Sequence, residues 1–308
     1  MTVIRLGTRG SPLALWQANH VRAQLIAAHG LPDSAVEIVV MKTSGDRIQD
    51  RPLSEVGGKG LFTKELEEAL IARTIDLAVH SMKDVATKLP AGLTITAVLE
   101  REDPRDAFLS STAASFNALP KGAVIGTSSL RRQAQALHAR PDLKVVGFRG
   151  NVETRLKKLA DGQASATFLA VAGLKRLGLA HHITEAIAAT EMLPAVAQGA
   201  VGIEIRADDE RLAGLLAPLD HQASHLAVAT ERAFLARLDG SCRTPIAGHA
   251  TLDVSGNLHF AGEIVAPDGS ARHANTRSGP ARDALRMGED AAAELLAKAG
   301  PNFLRDLA

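Results

Sequence analysis

The chain is poor in the residues that most often announce a function. One cysteine, Cys242, stands among 308 residues, so no intramolecular disulfide can form and no multi-thiolate metal cluster can be built. Tyrosine is missing and tryptophan occurs once, leaving eight phenylalanines as almost the whole aromatic set, which argues against surfaces that stack bases. Neither sign of charge dominates. The 35 Lys+Arg and 34 Asp+Glu leave a net charge of +1, so no global field gathers nucleic acid and basic residues must act in local clusters. No apolar run reaches the roughly 18 residues of a membrane span, and Met1-Thr2-Val3-Ile4-Arg5 lacks the apolar core of a secretory signal. A lone thiol also fits a reducing compartment. The expectation is a cytoplasmic protein with no nucleic-acid or membrane partner. What is abundant is core material: 46% hydrophobic residues, enough for two or three domains.

Short apolar runs alternate with helical patterns along the first two-thirds. Residues 3–6 read as a strand, and Ser11 caps a helix opened by Pro12, with Ala14, Ala18, Val21, Leu25 and Ala28 at helical spacing. A strand at 36–41, a helix at 61–72 and strands at 77–79 and 93–99 continue the rhythm. The charged run Glu100-Arg101-Glu102-Asp103-Pro104-Arg105-Asp106 reads as a solvated turn or a hinge. A second set follows, with strands at 123–125, 144–148 and 166–170 and helices at 130–139 and 152–160. A further strand at 201–205 is expected to return to the first domain. The tail changes character: a helix at 221–238, then runs at 247–254, 257–265 and 272–277 separated by Ser255-Gly256-Asn257 and Pro267-Asp268-Gly269, which signal an antiparallel meander. Leu285, Gly288, Ala292, Leu295 and Leu296 give a closing helix one apolar face.

The chemistry-bearing residues gather just after strands, where open parallel sheets place ligands. Gly7-Thr8-Arg9-Gly10-Ser11 delivers Arg9 beside a helix start, and His80-Ser81-Met82-Lys83-Asp84 follows the strand at 77–79. Gly126-Thr127-Ser128-Ser129-Leu130-Arg131-Arg132 offers hydroxyls, free backbone N–H groups and two arginines suited to bidentate pairing. Phe148-Arg149-Gly150-Asn151-Val152-Glu153-Thr154-Arg155 repeats the arrangement. Any one of these is an ordinary solvated helix cap; four together describe a cleft for a ligand rich in carboxylates or phosphates. Asp84 is out of place there. It is either a salt-bridge partner or a charge that the reaction requires, to stabilise a developing cation or hand a proton to a leaving amine. Gly57-Gly58-Lys59-Gly60 lacks the spacing of a P-loop and reads as a mobile loop or lid carrying Lys59. His221 and His225, and the pair His181-His182, lack a ligand set around them, so no metal is expected. Cys242 is either a buried small hydrophobe or a site of covalent chemistry. Its neighbours Gly240, Ser241, Thr244 and Pro245 suggest a loop, and Arg243 would favour the thiolate.

With those residues in view, the chain resembles the porphobilinogen deaminases (hydroxymethylbilane synthases) over nearly its whole length. The resemblance rests on Thr8-Arg9-Gly10-Ser11-Pro12-Leu13-Ala14, Val56-Gly57-Gly58-Lys59-Gly60-Leu61-Phe62, His80-Ser81-Met82-Lys83-Asp84-Val85 and Gly126-Thr127-Ser128-Ser129-Leu130-Arg131-Arg132-Gln133. It continues in Leu169-Ala170-Val171-Ala172-Gly173-Leu174-Lys175-Arg176-Leu177-Gly178 and Leu193-Pro194-Ala195-Val196-Ala197-Gln198-Gly199-Ala200-Val201-Gly202. Ser241 stands where a second glycine is common before the cysteine, and Ala86 where proline is usual; neither removes a charged or nucleophilic group.

The resemblance implies an α/β fold: two periplasmic-binding-protein-like α/β domains (residues 1–99 with 200–217, and 105–193) plus a small C-terminal α+β domain (222–308). It implies a dipyrromethane cofactor joined by a thioether to Cys242, and an active site in the cleft between the first two domains. The enzyme would join four porphobilinogen units head to tail, releasing ammonia at each step, and free the linear tetrapyrrole by hydrolysis, working as a monomer. By the same resemblance Lys83, Thr127, Ser128, Ser129, Arg131, Arg132, Arg155 and Gly173 would hold the cofactor. Arg9, Ser81, Arg149, Arg176 and Gln198 would hold the incoming substrate, with Lys59 on a flexible loop. Asp84 would face the pyrrole N–H groups, stabilise the cationic azafulvene-like intermediate and help ammonia leave. Two rivals remain on residue chemistry alone: a non-catalytic anion-binding module, which needs neither Asp84 nor Cys242, and a cysteine-nucleophile hydrolase, for which no partner histidine is in view.

Overall fold

A computed structural model describes residues 3–47, 60–240, 244–300 and 303. The chain opens with strand β1 (Ile4–Arg9), helix α1 (Pro12–His29), strand β2 (Val36–Met41), the single turn α2 (Ser44–Arg47), helix α3 (Lys64–Ile71) and strands β3 (Leu77–Ser81) and β4 (Leu93–Val98). It continues through β5 (Asp106–Ser110), β6 (Val124–Gly126), α4 (Leu130–Ala139), β7 (Lys144–Val146), α5 (Val152–Ala160), β8 (Ala166–Ala170), α6 (Val171–Arg176) and β9 (Glu185–Ala186). Strand β10 (Val201–Arg206), helices α7 (Glu210–Leu216) and α8 (Gln222–Arg237), strands β11 (Ile246–Leu252), β12 (Asn257–Val265) and β13 (Arg272–Pro280) and helix α9 (Ala284–Ala299) complete it.

The strands form three sheets, ordered β2-β1-β3-β10-β4, β7-β6-β8-β5-β9 and β11-β12-β13. In the first, β1 runs parallel to β2 and β3, and β10 lies antiparallel between β3 and β4. The second has the same plan: β6 is parallel to β7 and β8, while β5 is antiparallel to β8 and β9. The third is the antiparallel meander that the turn residues predict. The architecture is therefore α/β in its first two sheets and α+β at its C-terminal end. Among the described residues one compact unit comprises 3–47, 60–102 and 200–225, and the other 103–199, 226–240, 244–300 and 303. No helix among the described residues is long and apolar enough to cross a membrane.

Each sheet is held by what its strands bury. Leu6, Leu77, Val79, Ile203 and Ile205 form the first core with Val21 and Leu25 of α1. Removing so many aliphatic side chains from water stabilises such a layer by about 1.5–3 kcal/mol per large residue. In the second, Phe108, Phe116 and Phe168 pack as a mutual trio, with ring centroids 5.7–6.2 Å apart. Helix α1 begins as its sequence predicts: the backbone N–H of Ala14 donates to Ser11 Oγ at 3.3 Å, Pro12 fills the first position, and Gly30 ends it in the left-handed conformation, φ 59°.

Differences from the sequence reading have local causes. Strand β5 emerges directly from the charged run, whose last residue Asp106 is its first member. The helix expected at 61–72 starts only at Lys64, because residues 61–63 form a turn in which Thr63 and Lys64 both donate to the Gly60 carbonyl. Strand β13 runs to Pro280, three residues beyond the predicted end, because its ladder with β12 continues to Asn257.

Candidate functional site

Two groups of candidate residues sit at strand ends, one in each compact unit. In the first unit, β1 and β3 are parallel neighbours, so their C-terminal ends carry Arg9 and the segment Ser81–Asp84 to the same edge of one sheet. The Arg9 guanidinium lies 4.3 Å from the centre of the Phe62 ring, a cation–π contact. Ser81 exchanges hydrogen bonds with the buried amide of Gln17, at 2.9 and 3.2 Å. Residues Met82–Asp84 form a single 3-10 turn. It is seated by the Met82 N–H donating to the Ala200 carbonyl at 3.0 Å and by the Met82 thioether lying over Gly202. A Cβ on residue 202 would come within 2.0 Å of that sulfur, so only glycine admits the seat. Asp84 projects from this turn half-buried, and its carboxylate makes no hydrogen bond or ion pair with any described residue. Among the described residues it is not a salt-bridge partner. In the same sheet, buried His80 Nε2 meets Glu204 Oε2 at 2.8 Å across the β3–β10 seam.

In the second unit the parallel strands β6, β7 and β8 lead into the loops that carry the remaining candidates. Three hydroxyls knit the first loop. Thr127 Oγ1 accepts from the Ser129 N–H (3.1 Å), Ser128 Oγ from the Phe148 N–H (2.9 Å), and Ser129 Oγ from the Arg132 N–H as the N-cap of α4. Each hydroxyl thus acts as acceptor, and none of the three O–H donors is used on a described residue. Those donors fit a ligand carboxylate at a helix start. Arg155 donates from Nε to the Gly150 carbonyl at 2.9 Å, and Arg176 from Nη2 to the Gly199 carbonyl at 2.7 Å. Gly173 lies buried in α6.

Arg131 and Arg132 point inward. Both are buried against the fully buried carboxylate of Asp106: Arg132 Nε and Nη2 reach Oδ1 at 2.9 and 2.7 Å, and Arg131 Nη2 reaches Oδ2 at 2.7 Å. Arg132 Nη1 also donates to the Phe168 carbonyl, and Arg131 Nη1 to that of Leu193. Gln198, 1% exposed, places its amide nitrogen on the same carboxylate at 3.2 Å and on the Pro104 carbonyl at 2.6 Å, so it faces into the protein. The Nε–H of Arg131 and Nη1 of Arg149 are buried without a hydrogen-bond partner among the described residues. A buried donor left unmatched costs about 1–3 kcal/mol, which an anionic ligand could recover. The donor set therefore fits a group bearing carboxylates.

Burial pushes the Asp106 carboxyl upward, but the Arg131 and Arg132 charges and hydrogen bonds outweigh it and hold the pKa at about 2. Burial in turn depresses the Arg131 guanidinium, returning part of that gain. A depressed carboxylate stabilises the fold above its unfolded value of 3.8, and that contribution vanishes as the pH falls through about 2. Acid unfolding followed by circular dichroism should accordingly steepen between about pH 4 and pH 2. Asp106→Asn should flatten that slope; an unchanged slope would assign the acid sensitivity to other carboxylates.

Sequence reasoning missed the supports. Asp106 reads as one more charge in a solvated run; the usable signal is its place directly before the apolar Ala107-Phe108-Leu109. Glu231 of α8, fully buried, accepts from the Ala197 N–H (2.6 Å) and the Ala250 N–H (2.7 Å). It thereby holds the segment before Gln198 in a conformation where Ala197 has φ 59°, a region that non-glycine residues rarely adopt. Lys59 and Cys242, with Ser241, lie outside the described residues. Among the described residues no cluster of three His, Cys, Asp or Glu side chains could hold a metal ion. His221 and His225 bond instead to Ser224 and Asp220.

Comparison with known proteins bears on both groups. Residues 4–214 match the family model described as porphobilinogen deaminase, dipyromethane cofactor binding domain, and residues 225–297 match the porphobilinogen deaminase C-terminal domain. A porphobilinogen deaminase of Paracoccus denitrificans is 60% identical over 300 residues, 97% of this chain and 96% of that protein. A chloroplastic porphobilinogen deaminase of rice, Oryza sativa subsp. japonica, is 54% identical over all of this chain and 87% of its own length. Among solved structures, an ABC-transporter periplasmic substrate-binding protein from Coxiella burnetii superposes with a TM-score of 0.44 at 16% identity, covering 75% of this chain and 97% of that one.

Proposed function

This chain belongs to the porphobilinogen deaminase family, and from that premise we propose that it works on a dipyrromethane held covalently by Cys242, with Asp84 as the catalytic carboxylate. It is a transferase that joins four porphobilinogen molecules head to tail, with release of ammonia, into the linear tetrapyrrole hydroxymethylbilane. When bound, the dipyrrole supplies the covalent anchor on which the chain grows until hydrolysis frees it. We place the reaction in the cytoplasm, with the protein acting as a monomer.

The observation that carries the assignment of Asp84 is its half-buried carboxylate, without a partner among the described residues, on a turn seated by the Met82–Ala200 hydrogen bond. A neighbouring cation would neutralise it; left alone, its charge is available to positive charge developing on a pyrrole as the amine departs. Porphobilinogen carries an acetate and a propionate, so every addition brings two more carboxylates, and the remaining residues divide between two tasks. Lys83, Thr127, Ser128, Ser129, Arg131, Arg132, Arg155 and Gly173 hold the carboxylates of the cofactor. Arg9, Ser81, Arg149 and Arg176 orient the incoming substrate, while Gln198, buried with its amide on Asp106 and Pro104, supports the site from within. The unused hydroxyl donors of the Thr127–Ser129 loop and the unmatched N–H groups of Arg131 and Arg149 support that division.

The test is the intact mass of the protein purified from cells able to make porphobilinogen. The native chain should be heavier than its sequence by two linked pyrrole units, an outcome that a plain anion-binding module does not produce. Arg131→Leu should yield protein lacking the adduct. Arg149→Leu should keep the adduct yet stall chain growth. Full adduct and native turnover in both variants would overturn the carboxylate-clamp assignment.

A further inference from the structure

We infer that Asp106 is a positioning residue: its buried carboxylate sets the guanidinium of Arg131 for one ligand carboxylate, and it leaves the cluster with one positive charge in excess. The count is direct. Two guanidinium groups, each 5% exposed, share a single carboxylate that is fully buried. Glu263 also acts on Arg131 through space, but its carboxylate is already bound to Arg272 Nε at 2.8 Å. One charge therefore remains, and the Nε–H of Arg131 is a buried donor with no described acceptor. A buried cluster of this kind favours an anion over water, since paired charges in the interior are tolerated and unpaired ones are not.

The two arginines depend on Asp106 unequally. Arg132 has two bonds to Oδ1 and a third, independent one to the Phe168 carbonyl. Arg131 meets the other oxygen once, and otherwise holds only the Leu193 carbonyl. An asparagine at 106 has one acceptor oxygen. Facing it toward Arg132 and Gln198 turns its NH2 against the Arg131 Nη2, donor against donor. Asp106→Asn should thus release Arg131 while Arg132 stays. This inference rests on the assignment of Arg131 to the cofactor's carboxylates, and the variants below separate the two.

Apoprotein from cells unable to make porphobilinogen is incubated with porphobilinogen, and the rate of adduct formation is read by intact mass across a concentration series. A displaced binding group raises the concentration needed for half-maximal rate, whereas a merely loosened fold lowers the limiting rate through loss of competent protein. For Asp106→Asn the half-saturating concentration should rise at least tenfold, with the limiting rate falling less than threefold. An unchanged half-saturating concentration, or a fall in limiting rate alone, overturns the inference. Arg131→Leu is run beside it. Native loading there removes the assignment of Arg131 itself, while impaired loading there with native loading in Asp106→Asn removes only the role of Asp106. Should thermal melting show Asp106→Asn unfolded, Asp106→Glu retains the charge on a longer arm. Its half-saturating concentration should rise at least threefold, and a native value overturns the inference equally.

Discussion

Asp84→Asn should bind porphobilinogen and keep the dipyrrole adduct, yet turn over about 100-fold more slowly, equivalent to roughly 2.7 kcal/mol of transition-state stabilisation. The substitution preserves shape and a hydrogen-bonding oxygen and deletes one negative charge. Ground-state binding depends on arginine–carboxylate pairs, which the change leaves in place. The transition state develops positive charge as ammonia departs, and only a fixed anion answers that charge differentially. Because the Asp84 carboxylate bonds to no described residue, its loss should leave no orphaned partner and little change in melting temperature. Single-turnover kinetics on fully loaded protein is the measurement. Near-native turnover would require the catalytic charge to come from another carboxylate.

Cys242→Ser should lose both the adduct and all measurable turnover while folding normally. A hydroxyl is a far weaker nucleophile than a thiolate at neutral pH, and Cys242 is the only thiol in the chain, so no other side chain can form the thioether. Gly240 and Thr244 flank the position, and Gly240 is packed closely enough that a Cβ there would meet Leu235 and Ile246 side chains at 2.5 Å. The change to serine adds no bulk beside that contact, and a near-isosteric thiol-to-hydroxyl exchange should cost little stability. The outcome is read by intact mass, product formation and thermal melting on one sample. An adduct persisting on the serine variant would place the attachment elsewhere.

Much of the fold was legible because its signals are local. The strand at 36–41, the helices at 130–139 and 152–160 and the strand at 257–265 appear with the boundaries that periodicity and caps predict. Asn151 and Ser129 cap their helices as their residue types suggest. What escaped was long-range. The side of the sheet on which Glu204 lies, and its pairing with His80 from 124 positions away, cannot be read from an apolar run with a glutamate in it. The same holds for Asp106 and Glu231, whose partners come from distant segments. The candidate site follows this division. Motifs supply which residues carry charge at strand ends, whereas the inward turn of Arg131 and Arg132 depends on a carboxylate that only the folded chain brings to them.

The place of β10 between β3 and β4 has a consequence for how the chain leaves the ribosome. All five strands of the second sheet lie within Asp106–Ala186, so that sheet can close as soon as this stretch has emerged. The first sheet begins earlier but waits longer: among the described residues β4 pairs only with β10, which follows only after residues 103–199. Until then the apolar edges of β3 and β4 stand open, and closing the gap requires bridging a long loop. The first sheet is thus begun before the second and completed after it. Nascent chains of which residues up to 199 have emerged would carry an assembled second sheet and an incomplete first one, the state most exposed to wrong edge pairing and to chaperone capture.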